Sequence, residues 1–371
     1  MAVTVRHVME VLETIAPSSL AEAWDNIGLQ VGHHAWPVDK IWVALEPNVD
    51  LVARASVHGV NLLVAHHPLI YHPLSAVDLE TPVGRIIEVA LQNRLAIFCA
   101  HTNLDSAMGG VNDMLAEKLE LRDTRAVRTK KTDHCKLVVF VPAGYEEQIL
   151  DVLFESGAGK GERYTHVSFR TQGVGTFRAG VMAKPFLGRM GEVTHTPEYR
   201  IEAVVAKQEL SKVINALNRV HPYEEVACDV YAVEGGSPKE GLGRIGNLAK
   251  EISLEDLARR IKEVLQLDTI KIVGERQQTI KRVAVCSGNG KSLVNDFLAS
   301  DAQAYVSGDL GYHEGRSVEA SGRALIDIGH FASEHLVVQS LAARLKEALS
   351  KKEYFVQVEA YTEETDCFQY I

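Results

Sequence analysis

The sequence predicts an α/β protein: a host fold of mixed or parallel sheets with flanking helices, split by an inserted domain on the ferredoxin-like β-α-β-β-α-β plan. Three features predict it. Short apolar runs of strand length alternate with amphipathic stretches of helical period across residues 1–127. The same alternation resumes across residues 237–371. Between them, residues 128–236 hold a closed series of strand and helix patterns, ended by Glu234-Gly235-Gly236-Ser237-Pro238, which reads as a linker.

The first element is a helix. Val5, Val8, Met9, Leu12 and Ile15 share one helical face with charges between them, and Pro17 ends the run. That spacing is not the apolar block of a signal peptide. Residues 22–28 have turn chemistry and read as a loop. Residues 40–46 read as a buried strand stopped by Pro47, and Asn48 is placed to cap a helix to about His58, with Leu51, Val52, Ala55 and Val57 inward. Residues 62–65 are a second strand, running into His66-His67-Pro68. Strand, helix, strand is a parallel unit with a right-handed crossover. A helix over 81–93 and a strand over 95–100 repeat it, and this strand runs into His101-Thr102-Asn103-Leu104-Asp105-Ser106. Gly109-Gly110 then opens a helix through Leu119.

Beyond Thr124 the stretch with Arg125, Arg128, Lys130 and Lys131 reads as a polar linker. The inserted domain follows: a strand over 136–141, a helix over 145–155, strand-turn-strand over 166–178 broken at Gly173 and Gly175, a strand over 199–206, a helix over 210–220 and a strand over 225–233. The host resumes with a helix over 254–265, capped by Ser253 with Asp256 in a capping-box variant. Strands follow over 270–273 and 283–286. Ser287-Gly288-Asn289-Gly290-Lys291-Ser292 lacks the spacing of a phosphate loop and reads as a tight strand-to-helix turn. A strand ends at 305–309, and a buried strand over 324–328 runs into Gly329-His330-Phe331-Ala332-Ser333-Glu334. A helix to about Lys351 and an edge or closing strand over 354–361 complete the chain.

Composition bounds the function. With 371 residues there is room for two or three domains at about 150 residues each. The formal net charge of -10 argues against non-specific binding to nucleic acid or to an anionic membrane, though not against a local site for a phosphate. Five scattered cysteines (Cys99, Cys135, Cys228, Cys286 and Cys367) form no C-x-x-C and suit reduced thiols in a cytoplasmic protein. No apolar run reaches about 18 residues, so no membrane span is expected.

Four pairs of metal-ligating side chains follow apolar runs: His66/His67, His101/Asp105, Asp309/His313 and His330/Glu334. Open α/β sheets bind ligands at the C-terminal ends of their strands, and a doubly wound sheet would bring these loops to one rim. Each pair has a bland reading. Adjacent histidines can be surface loop residues, Asp105 a turn or N-cap residue, His330 a buried polar group satisfied by backbone, and Glu334 a carboxylate favoured by a helix N-terminus, with Ser333 as its cap. Three imidazoles and two carboxylates drawn from them make a set that suits two divalent cations sharing a carboxylate and leaving room for water. The chemistry such a pair supports is hydrolysis of a phosphoester, an amide or a ring C–N bond.

Asp25-Asn26-x-Gly28, Ala65-His66-His67-Pro68, His101-Thr102-Asn103-Leu104-Asp105, Ser307-Gly308-Asp309 and Gly329-His330-x-x-Ser333-Glu334 resemble the dinuclear-metal family called NGG-interacting-factor-three-like, or GTP cyclohydrolase I type 2 homologues. The resemblance covers both halves of the host, about 1–125 and 240–371. It implies metal ligands at His66, His67, Asp105, His330 and Glu334, with Glu334 bridging two divalent ions (zinc, iron or manganese). It implies that His101 stands beside the ions or takes part in catalysis. It also implies a ring-shaped homohexamer. The inserted domain, with His221-Pro222-Tyr223-Glu224-Glu225, resembles the PII/CutA-like modules of longer members; that run reads as a helix end entering a strand rather than a metal site. The expected function is a metal-dependent hydrolase on a nucleotide-like small-molecule substrate, such as GTP. The alternative is a non-catalytic regulatory or scaffold protein whose insert senses a small ligand. Binding to transcription components, hinted at by the family's other name, has no support in the acidic composition.

Overall fold

Leu62, Leu63, Val64 and Ala65 are wholly buried, because the strand they form, Leu62–Ala65, lies inside a sheet covered on both faces. In the computed structural model, which describes residues 2–129, 134–161, 164–233 and 239–369, this sheet has five strands. Their order is Gly28–Val31, Ala96–Cys99, Leu62–Ala65, Lys40–Ala44 and Gln357–Ala360; the first pairs antiparallel and the others parallel. Leu62 and Val64 face the helices Val5–Ile15 and Leu336–Lys351. Leu63 faces the helices Val49–Val57 and Pro82–Gln92. Successive side chains go to opposite faces, so a strand this short serves two cores. Asn48 caps the Val49–Val57 helix by accepting from the Leu51 N–H, 2.9 Å. Val57 is 85% exposed, not inward: two residues past Ala55, it lies off the stripe that Leu51, Val52 and Ala55 form.

A second sheet has six strands, in the order Lys271–Val273, Ala324–Asp327, Ala304–Gly308, Thr279–Asn289, Gly241–Ser253 and Arg122–Thr129. The three strands from Ala324–Asp327 to Thr279–Asn289 are parallel and the other pairings antiparallel. Val283, Val285 and Val306 pack under the helices Leu254–Val264 and Val111–Lys118. Ala284, Cys286 and Tyr305 pack on the other face with Phe297 and Val318. Ser253 caps its helix by accepting from the Asp256 N–H, 3.1 Å.

These two sheets belong to one compact unit, Met1–Lys130 with Ser237–Ile371; Lys131–Gly236 is another. The latter runs His134–Pro142, Glu146–Ser156, Ser168–Arg178, Val193–Ala206, Lys207–Val220 and Cys228–Ala232, strand-helix-strand-strand-helix-strand. Its four strands are all antiparallel, in the order Ser168–Arg178, Val193–Ala206, His134–Pro142, Cys228–Ala232.

Several sequence expectations change. The supposed linker beyond Thr124 is the edge strand Arg122–Thr129, whose alternation is masked because only Ala126 is buried; Lys130 and Lys131 lie outside the described residues, as does the linker at 234–238. Residues 168–178 form one unbroken strand, since Gly173 and Gly175 pair along Glu198 and Thr196 instead of turning. Gly28–Val31 and Gly241–Ser253 are strands that the glycines and charges concealed. The candidate ligands do not share one rim of a doubly wound sheet: His66, His67, His101 and Asp105 follow strands of the five-stranded sheet, and Asp309, His330 and Glu334 those of the six-stranded one.

Candidate metal centre

The ends of Leu62–Ala65 and Ala96–Cys99 deliver His66, His67 and, through the short helix Thr102–Ser106, Asp105. The end of Ala324–Asp327 delivers His330 and Glu334 on the helix His330–Glu334. His330 is already helical, behind Gly329 at φ 80, so Ser333 is not the cap. Instead the Ser333 hydroxyl donates to His330 O at 2.7 Å and accepts from the Gly288 N–H at 2.8 Å, tying this helix to the Thr279–Asn289 strand.

His67 Nε2 lies 2.8 Å from Glu334 Oε2, and His330 Nε2 lies 3.0 Å from the same oxygen. His66 Nε2 is 3.7 Å from both Glu334 Oε1 and Asp105 Oδ1. Three groups have ligand atoms within 4.8 Å of one another: His66/His67/His101, His67/His330/Glu334 and His66/Asp105/Glu334. These side chains can hold a metal ion. His313 joins none of them; the structure leaves it on the helix Tyr312–Ala320, which the sequence pattern did not reveal.

Each imidazole is fixed through its other nitrogen. His66 Nδ1 donates to Ala100 O at 2.9 Å, His67 Nδ1 to Glu46 at 2.5 Å, His101 Nδ1 to Asp25 at 2.9 Å and His330 Nδ1 to Asp309 at 2.7 Å. A carbonyl or carboxylate can only accept, so each ring carries its hydrogen on Nδ1 and turns Nε2 toward the cluster. Asp105 accepts from Ser287 Oγ at 3.1 Å, and Asn112 bridges the Ser287 N–H to the Asp105 carbonyl. Glu46, Asp25 and Ser287 were not singled out as site residues from the sequence. Glu46 could have been found, since it follows the 40–44 apolar run as His66 follows its own. Asp25 and Ser287 have no such local signal.

The charges are strongly coupled. Burial alone would raise Glu334, but His66, His330 and His67 outweigh it and hold the carboxyl well below its ordinary value. Asp105, buried and near Glu334, is pushed up by burial, with His66 opposing. Burial would lower His67, yet Glu334 and Glu46 raise it to about 10. Glu334, with Asp309 and against burial, raises His330 to about 9. Behind His101, burial would raise Asp25, but bonds from His101 and Thr102 bring it to about 2. Between Glu334 and the rings of His67 and His330, a proton sits where a cation would otherwise balance the carboxylate.

The His221-Pro222-Tyr223-Glu224-Glu225 run is not part of any such group. His221 Nε2 donates to Phe140 O at 3.0 Å and its Nδ1 accepts from the Tyr223 N–H at 3.1 Å, so both ring nitrogens are committed to backbone.

The fold and the cluster thus define an α/β protein with a histidine and carboxylate centre able to hold metal, built where the strands of two sheets end. The chain belongs to the Duf34/NIF3 (NGG1p interacting factor 3) family, whose profile matches residues 3–366. A Bacillus subtilis relative named GTP cyclohydrolase 1 type 2 homolog is 37% identical over 97% of this chain and 96% of its own. A relative of the same name from Halalkalibacterium halodurans is 35% identical over 98% of each chain. The crystal structure of a Bacillus cereus protein related to NIF3 matches with a TM-score of 0.76 at 34% identity, covering 100% of both chains. Among the described residues no helix is long and apolar enough to cross a membrane.

Proposed function

We propose that the chain holds two divalent cations and hydrolyses a nucleotide-like small molecule. One observation carries this reading: the imidazoles of His66, His67 and His330, each anchored through Nδ1, turn Nε2 toward the buried carboxylates of Asp105 and Glu334, and His101 stands beside the first two. Two further features support a fit to metal. His66 Nε2 is buried without a hydrogen-bond partner, a costly state for a polar atom that nothing else occupies. At Gly288 a Cβ would stand 2.1 Å from Glu334 Oε1 and 3.3 Å from His330 Nε2, so the backbone leaves this space to the cluster.

Glu334 would be shared between the two ions: its Oε1 lies 3.7 Å from His66 Nε2, and its Oε2 lies 2.8 Å from His67 Nε2 and 3.0 Å from His330 Nε2. His66 and Asp105 would hold one ion, and His67 and His330 the other. Nitrogen and carboxylate donors of this kind suit zinc, iron and manganese alike. Divalent cations there would supply Lewis acidity and a water acidic enough to attack near neutral pH. His101, fixed by Asp25 beside His66 and His67, is set to move a proton at its Nε2. A cavity of about 1380 Å³ lined by His67, His330, Phe331, Tyr361, Arg54 and Lys271 has room for a nucleotide. The name GTP cyclohydrolase 1 type 2 homolog, carried by the relatives, makes GTP the first substrate to try.

The test is metal analysis of purified protein, then metal-loaded protein against GTP and a panel of phosphoesters and cyclic amides. Hydrolysis should be lost in the His66→Ala, Glu334→Ala double variant; hydrolysis that survives it rules the reading out.

A second reading draws on the separate unit, Lys131–Gly236, whose element and strand order support a ferredoxin-like, PII/CutA-like insert and which contributes none of the clustered side chains. In that reading the insert senses a small ligand and the metals are structural. Ions found fully ligated by protein, without water, would favour it.

A further inference from the structure

Beside the metal cluster stands a pair of aromatic rings that the fold does not bury. Trp24 is 58% exposed and Tyr71 50% exposed, their ring centroids 5.9 Å apart and tilted by 57°. Trp24 also meets His101 edge-on at 6.1 Å, and His101 lies 5.2 Å from His66 and 5.8 Å from His67. The other tryptophans are placed differently: Trp42 is 8% exposed and Trp36 partly buried. Burying an indole is strongly favourable, so a fold that leaves Trp24 in solvent gives up stabilisation available elsewhere.

The pair is held in place rather than loose. Asn26 Nδ2 donates to Ile70 O at 2.6 Å, and the Ile70 N–H donates to Gln30 Oε1 at 2.7 Å, which binds the two chain segments together. Asp25, next to Trp24, accepts from Thr102 N at 3.0 Å and from His101 Nδ1. One short loop therefore sets both the orientation of His101 and the position of Trp24.

We infer that Trp24 and Tyr71 form a stacking platform for a planar heterocyclic ring, such as a purine, and present it to the metal-binding imidazoles. The inference rests on the hydrolytic reading of the centre and names the part of the substrate it grips. Exposed rings at a functional edge recognise π-faces, and stacking accepts any base. A quaternary ammonium could also sit against two aromatics. It offers neither a polarised C=O nor a C–N bond open to water attack, so it does not suit a site beside such a centre.

The experiment uses the full chain, with and without zinc or manganese, and guanosine as probe. Guanosine should quench Trp24 emission saturably, while ribose and tetramethylammonium should not. Equilibrium dialysis should show guanosine binding weakened about tenfold or more in Trp24→Ala and in Tyr71→Ala, and largely restored in Trp24→Phe. Equal affinity in wild type and both alanine variants overturns the inference, as does quenching by tetramethylammonium in place of guanosine. Trp24 emission inaccessible to acrylamide in the folded protein also overturns it, by assigning the pair to an interface between copies. The two readings fail separately. Guanosine binding without turnover of GTP keeps the platform and removes the hydrolase; turnover with unchanged KM in the alanine variants does the reverse.

Discussion

At the scale of single residues, the centre depends as much on what stands behind the ligand-type side chains as on those side chains. Gly288 adopts φ +60, and a Cβ there would overlap Glu334 Oε1. Gly288→Ala therefore leaves every candidate ligand in the chain yet displaces the carboxylate shared by the His67/His330/Glu334 and His66/Asp105/Glu334 groups. We expect it to lose at least one bound ion per chain by metal analysis, with a stability cost of about 1–2 kcal/mol for the left-handed backbone. A variant with full metal content would show that Glu334 does not hold the ions. Glu46, half-exposed, matters only through His67 Nδ1. Glu46→Ala should weaken metal binding roughly 10- to 100-fold; competition with a chromophoric chelator measures it. Residue-scale legibility was uneven for a physical reason. His66, His67, His330 and Glu334 stand out because ligand types follow apolar runs, whereas Asp25 and Ser287 act on residues 76 and 182 positions away, a separation no local pattern encodes.

At the scale of elements, the buried parallel strands were legible, whereas three antiparallel strands of the host, Gly28–Val31, Arg122–Thr129 and Gly241–Ser253, were not. Leu62–Ala65 and Ala324–Asp327 are buried on both faces and read as unbroken apolar runs. Gly241–Ser253 gains its ladder from neighbours on both sides, Thr279–Asn289 and Arg122–Thr129, so its glycines and charges are tolerated by pairing rather than favoured by propensity. Inside it, Arg244 is 1% exposed. Its guanidinium donates to Gly241 O at 2.7 Å, to Gly243 O at 2.8 Å and to Ala107 O at 3.0 Å, and it pairs with Asp113. Ala107 follows the Thr102–Ser106 helix that carries Asp105, so this one side chain ties a strand of the second sheet to the site's first half. Removing it leaves three carbonyls without their donor and takes the cation from the partly exposed Asp113. Arg244→Ala should cost about 3–5 kcal/mol in urea denaturation, and a loss under 1 kcal/mol would show that water replaces the guanidinium there without difficulty.

At the scale of the whole molecule, the cluster joins stretches of chain lying before and after the Lys131–Gly236 unit, since His66, His67, His101 and Asp105 precede it and His330 and Glu334 follow it. Metal bound there stabilises the folded form by mass action, about 4 kcal/mol when free ion is a thousandfold above Kd. That should raise Tm by roughly 8–15 °C for a unit of this size, reversed by a chelator. The pH dependence follows from the histidines. Raised to about 10 and about 9, His67 and His330 in the metal-free protein contribute stability present below about 6.5 and lost as pH climbs through those values. A cation needs both rings unprotonated at Nε2, so binding near pH 7 must expel protons from both. Between pH 6 and 9 the gain in Tm on adding metal should therefore widen, with apparent affinity rising up to roughly a hundredfold per pH unit for two protons released. Calorimetric titrations in two buffers of different ionisation enthalpy count those protons. A count of zero would mean that the cation sits away from His67 and His330, and with it would go the bridging role of Glu334.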